Sequence, residues 1–202
     1  MTHYNFLDNH KGRGQKNIVK ENDFLNRITN SKSDVIQILL DELGSLKIDY
    51  CVIDDLAVNA YTDPVASLDL DLVLAIEDIE KLLKQLSPPN GKFTVEKFPH
   101  SINLAHPDSD LRLQIQTDKR YQSFIKKASV KKVLGYEMKV AALEDLLNGK
   151  VWAYSDLPTE KAGEKVKKSK RQKDLADIMR LVESYPQLND LLPEHIKNII
   201  KN

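Results

Sequence analysis

The sequence predicts an α+β protein, a mixed β-sheet with helices packed on it and a C-terminal helical part. Three observations predict it. Residues 68–74, Leu-Asp-Leu-Asp-Leu-Val-Leu, alternate apolar with acidic and then turn wholly apolar, the pattern of a strand. Residues 48–53 make a second apolar, partly β-branched run, followed by a short helical stretch at 56–61 and the breakers Thr62-Asp63-Pro64. Apolar residues then recur at helical spacing in four further segments, around 35–43, 77–86, 143–153 and 170–183.

Taken in order, residues 1–20 are polar and read as an arm, with His3 and His10 exposed on it. Asp23, Phe24, Leu25 and Ile28 add a short turn of helix. Ser33 fits an N-cap, with Asp34 in the first turn and Gly44 at the C-cap of the helix whose apolar face runs from Val35 to Leu43. The strand at 48–53 follows, and then the acidic strand, whose Leu68, Leu70 and Leu72 are expected to point into the core. Pro88-Pro89-Asn90-Gly91 ends the helix at 77–86. Strands are expected at 93–98, 101–105 and 111–116, with His100 and His106 as solvated turn residues. A helix at 121–128 and two β-like pieces around Gly135 come next. The helices at 143–153 and 170–183 complete the pattern, with Gly149 a mild penalty inside the first. A last helix begins near Pro193. The domain reading is an arm over 1–30, a core over 31–128, and a mainly helical part over 129–202 that completes a cleft.

Bulk composition narrows the classes. With 202 residues, 41% of them hydrophobic, the chain can bury a real core. Thirty Lys and Arg balance thirty Asp and Glu, so no global charge points to nucleic acid or a membrane. Cys51 is the single cysteine, which excludes an internal disulfide and cysteine-rich zinc sites and fits a reducing cytoplasm. No apolar run reaches the roughly 18 residues of a membrane span, and the first residues lack a signal-peptide pattern.

The chemistry centres on Asp69 and Asp71. On a strand, residues two apart share a face, so the two carboxylates stand side by side. Their repulsion is relieved by a cation, and hard oxygen donors suit Mg²⁺ or Mn²⁺ with substrate phosphates as further ligands. Lys161, Lys165, Lys167, Lys168, Lys170, Arg171 and Lys173 form a local basic run that reads either as a solvated face or as a holder of phosphate. Trp152 and Tyr154 just before it read either as base-stacking or as packing residues.

Residues 54–71 resemble the nucleotidyltransferase superfamily that includes DNA polymerase beta, and within it the AbiEii-type minimal nucleotidyltransferases. Ala57, Pro64 and Ser67 fall on the family's Ala, loop Pro and Thr, and Asp69 and Asp71 on its metal-binding Asp-x-Asp. Further on, Lys150 and the run Lys173-Asp174-Leu175-Ala176-Asp177 match the Lys and the Lys-Asp motif of the AbiEii type. The resemblance implies a nucleotidyltransferase fold and an active cleft. In it Asp69, Asp71, Lys150 and Asp174 would be catalytic. Asp54, Asp55, Ser67, Lys150, Lys170, Arg171 and Asp177 would bind nucleotide, and Gln116 would be a third metal ligand beside Asp69 and Asp71. The departures are concrete. The family's small Gly-Gly/Ser pair is Asp54-Asp55 here, its loop Arg is Val65, and Gln114 and Gln116 stand where a third acid is expected. Asp174 and Asp177 can also be read simply as acids placed for the helix dipole.

Two functions follow. One is an Mg²⁺-dependent nucleotidyltransferase using an NTP and an unknown hydroxyl acceptor (RNA, protein or small molecule), which the resemblance implies would act as a toxin paired with a cognate antitoxin protein. The other is a non-catalytic protein of the same fold that binds nucleotide, RNA or a protein partner.

Overall fold

The computed structural model describes residues 21–156 and 168–201. The arm with His3 and His10, and the part of the basic run holding Lys161, Lys165 and Lys167, lie outside the described residues. Helices α1 (Glu21–Ile28) and α2 (Val35–Ser45) lead into β1 (Tyr50–Ile53), α3 (Asp54–Val58) and β2 (Asp69–Leu74). Helix α4 (Ile79–Leu86) precedes β3 (Thr94–Lys97), β4 (Ser101–Ala105) and β5 (Arg112–Gln116). A 3₁₀ segment at Lys119–Lys127 joins β5 to the hairpin β6 (Ser129–Val133) and β7 (Tyr136–Val140). Helices α5 (Leu143–Asp156), α6 (Lys168–Ser184) and α7 (Glu194–Ile200) finish the chain.

The seven strands form one mixed sheet in the order β3-β4-β5-β2-β1-β7-β6. Strand β2 is antiparallel to β1 and parallel to β5. The hairpin at 129–140, which the sequence reading assigns to the C-terminal part, supplies the edge beyond β1. The period of two decides what each face does. Leu70, Leu72 and Leu74 enter the main core with Val52, while Val73 joins Cys51, Ile53, Tyr121 and Phe124 on the opposite face. Asp69 and Asp71 belong to that second face, at the end of β2 where the packing gives way to cavities.

Several expectations are corrected. Leu68 is 38% exposed: it lies just before the first residue of β2 instead of within the buried strand. Asp34, not Ser33, caps α2: its side chain accepts from the Gln37 amide. Gly44 lies inside α2, which ends in a Schellman turn with Lys47 in the left-handed region (φ 53°). The Lys47 amide donates to the Gly44 carbonyl and the Ile48 amide to that of Leu43. Residues 119–127 are 3₁₀ rather than α, capped by Asp118. His106 is buried against Phe93, and its Nδ1 accepts from the Asp108 amide. Pro193 is the N-cap of α7 rather than its first residue. Gly149 has a packing reason: a Cβ there would lie 3.2 Å from the Tyr121 ring.

Leu72 sits at the centre of the sheet with no solvent exposure. Replacing it with alanine is expected to cost about 2–5 kcal/mol through lost transfer energy and a cavity. Urea unfolding measures this as a lower midpoint with an unchanged slope.

Candidate functional site

The site is assembled by three helices over the ends of β1 and β2. Helix α3 begins directly after β1, and its first residue, Asp54, takes φ 60°. That region favours glycine and is tolerated by Asp and Asn. The turn from β1 into α3 is therefore made by an aspartate in the left-handed region. On α6, Lys170, Lys173, Asp174, Asp177 and Arg180 are spaced three and four apart, so they share one face. Helix α5 brings Lys150 against both.

Lys150 is the hub. Its side chain is 2% exposed. Its ammonium contacts Asp54, lies 2.7 Å from Asp55 Oδ1 and 2.7 Å from Asp177 Oδ2, and is 3.6 Å from Asp174 Oδ1. Burial pulls the Lys150 ammonium below its ordinary value, while Asp177 and Asp174 work in the opposite direction. Burial likewise raises Asp174, with Lys150 and Lys170 opposing. Lys173 contacts Asp55 and reaches Asp69 at 3.9 Å. Burial opposes its charge, but the Asp55 hydrogen bond and the Asp55, Asp69 and Asp177 charges outweigh it and raise its pKa. Ser67 donates to Asp55 Oδ2 and accepts from the Asp69 amide, tying α3 to the start of β2. Arg180 donates to Asp177, Thr62 and the Asp63 carbonyl, clamping the loop between α3 and β2 onto α6.

Asp69 and Asp71 do stand on one face and line one cavity of about 860 Å³ together with Asp54, Asp55, Lys170 and Lys173. Arg112, opposite Asp69 in the β2–β5 register, holds the Asp69 carboxylate through Nε at 2.6 Å and Nη2 at 3.1 Å. Asp71 faces Ile53 on one side and Gln114 on the other. Burial and the carboxylates of Asp69 and Asp55 push Asp71 up from 3.8 to about 7, against the pull of Lys170 and Lys173. Asp71, Asp54, Gln114 and Lys170 also border a second cavity of about 250 Å³, lined further by Tyr121, Phe124, His100 and Asp118.

The other sequence candidates fall as follows. Gln116 borders the smaller cavity, but its side-chain carbonyl accepts from the Asp118 amide, and Gln114 is the glutamine beside Asp71. Arg171 lines neither cavity; its guanidinium lies over Tyr154 at 4.6 Å. Trp152 packs with Tyr121 and Phe124 under Arg120, and Tyr154 is buried, so both are packing residues. Sequence reasoning left Arg112 and Arg180 out of the site, and named Gln114 only as standing where a third acid is expected and Lys173 only in the basic run and the Lys-Asp motif. The signals were available: Arg112 alternates with Gln114 on β5, and Arg180 is three residues beyond Asp177.

No protein-family model matches the chain, and no curated protein matches it. Solved structures do match. ANT(2'')-Ia in complex with adenylyl-2''-tobramycin aligns at a TM-score of 0.52 and 12% identity, over 83% of this chain and 93% of that one. The lincosamide antibiotic adenylyltransferase LnuA, lincomycin-bound, aligns at 0.47 and 15% identity over 75% and 97%. An antigenic nucleotidyltransferase-like protein from Paracoccidioides brasiliensis aligns at 0.46 and 19% over 80% and 76%. The likeness at 0.52 is one of fold, and the α+β architecture is the nucleotidyltransferase fold.

Removing one partner of a buried ion pair strands the others. Lys150→Met is expected to cost about 3–5 kcal/mol in urea unfolding. Asp71 supplies a pH dependence. Its native value lies above the unfolded one, so the native state binds the extra proton between pH 3.8 and about 7. Its contribution is complete below that window and is lost as pH rises through it, with a slope up to about 1.4 kcal/mol per pH unit. Asp71→Asn should remove that fall, measured as the difference between the two stability–pH curves.

Proposed function

We propose that the chain is a divalent-metal-dependent nucleotidyltransferase that moves a nucleotidyl group from an NTP to a hydroxyl acceptor. The observation that carries this reading is the placement of Asp69 and Asp71 on one face of β2, at the wall of the large cavity shared with Lys170 and Lys173. The donor set fits Mg²⁺ or Mn²⁺. Asp71 has no ion-pair partner within 4 Å among the described residues, and it stands among the like charges of Asp69 and Asp55. Asp69 and Asp71 would hold the ion, with a glutamine carbonyl from Gln114 or Gln116 beside them. When bound, the ion would neutralise phosphate charge and favour in-line displacement.

The chain's own groups do the rest. Lys170 and Lys173 bind the triphosphate, since both face the large cavity, whose volume falls in the range of small-molecule sites. Asp71 and Gln114 border both cavities, which supports a reacting phosphate at the junction. The acceptor hydroxyl enters from the smaller cavity, where Tyr121 and Phe124 give an apolar wall. The hydroxyl oxygen bonds the α-phosphorus, the bond to pyrophosphate breaks, and the hydroxyl proton passes to water. Asp54, Asp55, Asp174 and Asp177 are positioning residues in this reading, held by Lys150, and Asp54, Asp55 and Asp174 also line the large cavity. The AbiEii-type resemblance adds a toxin role with an antitoxin partner, and the lone buried thiol of Cys51 fits a reducing cytoplasm.

A second reading, a silent protein of this fold that binds nucleotide, RNA or a protein partner, is favoured by Gln114 at the register position beside Asp71 and by Arg112 on Asp69. Incubation with each radiolabelled NTP, Mg²⁺ or Mn²⁺, total RNA and cell extract separates the two. Labelled product is expected, with Asp69→Ala and Asp71→Ala each reducing it at least about a hundredfold. Absence of transfer by the native chain with every NTP would establish the silent reading.

A further inference from the structure

The carboxylates around Lys150 have the layout of a metal shell. One oxygen each from Asp54, Asp55 and Asp177 lies within 4.8 Å of the others, a spread that a hard cation's oxygen ligands can span. A fourth carboxylate points to the same place. Asp174 is 2% exposed, its Oδ1 is 3.6 Å from the Lys150 ammonium, and its Oδ2 has no hydrogen-bond partner among the described residues. The space between them is taken by the Lys150 ammonium, itself buried. An ammonium brings one charge and three donors to oxygens that could ligate a dication.

We propose that Lys150 is the resident cation of a metal-type carboxylate cage. Its ammonium fills the position between Asp54, Asp55 and Asp177, so that the native site takes one divalent ion, at Asp69 and Asp71, and a neutral residue at 150 opens a second. The inference rests on the preceding reading only for the ion at Asp69 and Asp71. The cage belongs to different residues, and Lys150 reaches it from α5 with its stem enclosed by the fold.

Mn²⁺ alone tests it, with bound and free ion followed by electron paramagnetic resonance and binding heat by calorimetry. The native full-length chain is expected to bind one Mn²⁺, and Asp177→Asn in that background to leave the count unchanged. Lys150→Met is expected to bind one more ion than the native chain and to gain thermal stability on adding Mn²⁺. Lys150→Met with Asp177→Asn should lose the extra ion. Equal counts in Lys150→Met and the native chain would overturn the proposal. So would a native chain that binds two ions and loses one with Asp177→Asn, a result that needs no Lys150 variant to fold. A native chain that binds none, beside a Lys150→Met variant that binds one, would sink the Asp69/Asp71 metal reading and leave the cage standing.

Discussion

The arrangement depends on one buried ammonium among four carboxylates. Lys150 comes from α5, Asp54 and Asp55 from α3, and Asp174 and Asp177 from α6. Each of these charges would be costly to bury alone, and pairing with Lys150 lowers that cost for the carboxylates. The cluster therefore sets how the three helices meet, because a shift of any one leaves a buried charge unpaired. It also lets the adjacent carboxylates Asp54 and Asp55 stand together at the start of α3. The carboxylates are turned to Lys150 and Lys173, and so are neutralised from within the chain.

The sheet supplies the other half. Strand β2 is buried on both faces along most of its length, and only its first residues open to cavities. The parallel ladder with β5 puts Arg112 on Asp69 and Gln114 on Asp71. Asp69 thus has its own cation, whereas Asp71 has a neutral amide as neighbour and like charges nearby. The two aspartates look equivalent along the chain and are electrostatically distinct in the fold. That difference is what makes Asp71 the group most in need of an external cation.

Much of the site was legible in local pattern. Alternation placed Asp69 and Asp71 on one face, and the spacing of Lys170, Lys173, Asp174 and Asp177 placed them on one helix face. The same periodicity held Arg112 and Arg180, whose partners lie 43 and more than a hundred residues away, at Asp69 and at Asn59, Thr62 and Asp63. Polar groups chosen by residue type alone were less secure. Arg171 and Tyr154 pack on each other, Trp152 joins an aromatic cluster, and His106 is buried. The cap of α2 and the exposure of Leu68 turned on single-residue offsets that period alone does not resolve.

By itself, the sequence determined the strand and helix periods, the acid pair, and the resemblance of residues 54–71 to a known fold, since all of these are written in neighbours a few residues apart. Tertiary structure alone decided which cation meets which acid. Lys150 and Asp55 are 95 residues apart, and the ammonium chooses its partners only after three helices pack. Charge pairing in a buried space depends on that packing, because a carboxylate's environment is set by what folding brings beside it rather than by what precedes it in the chain.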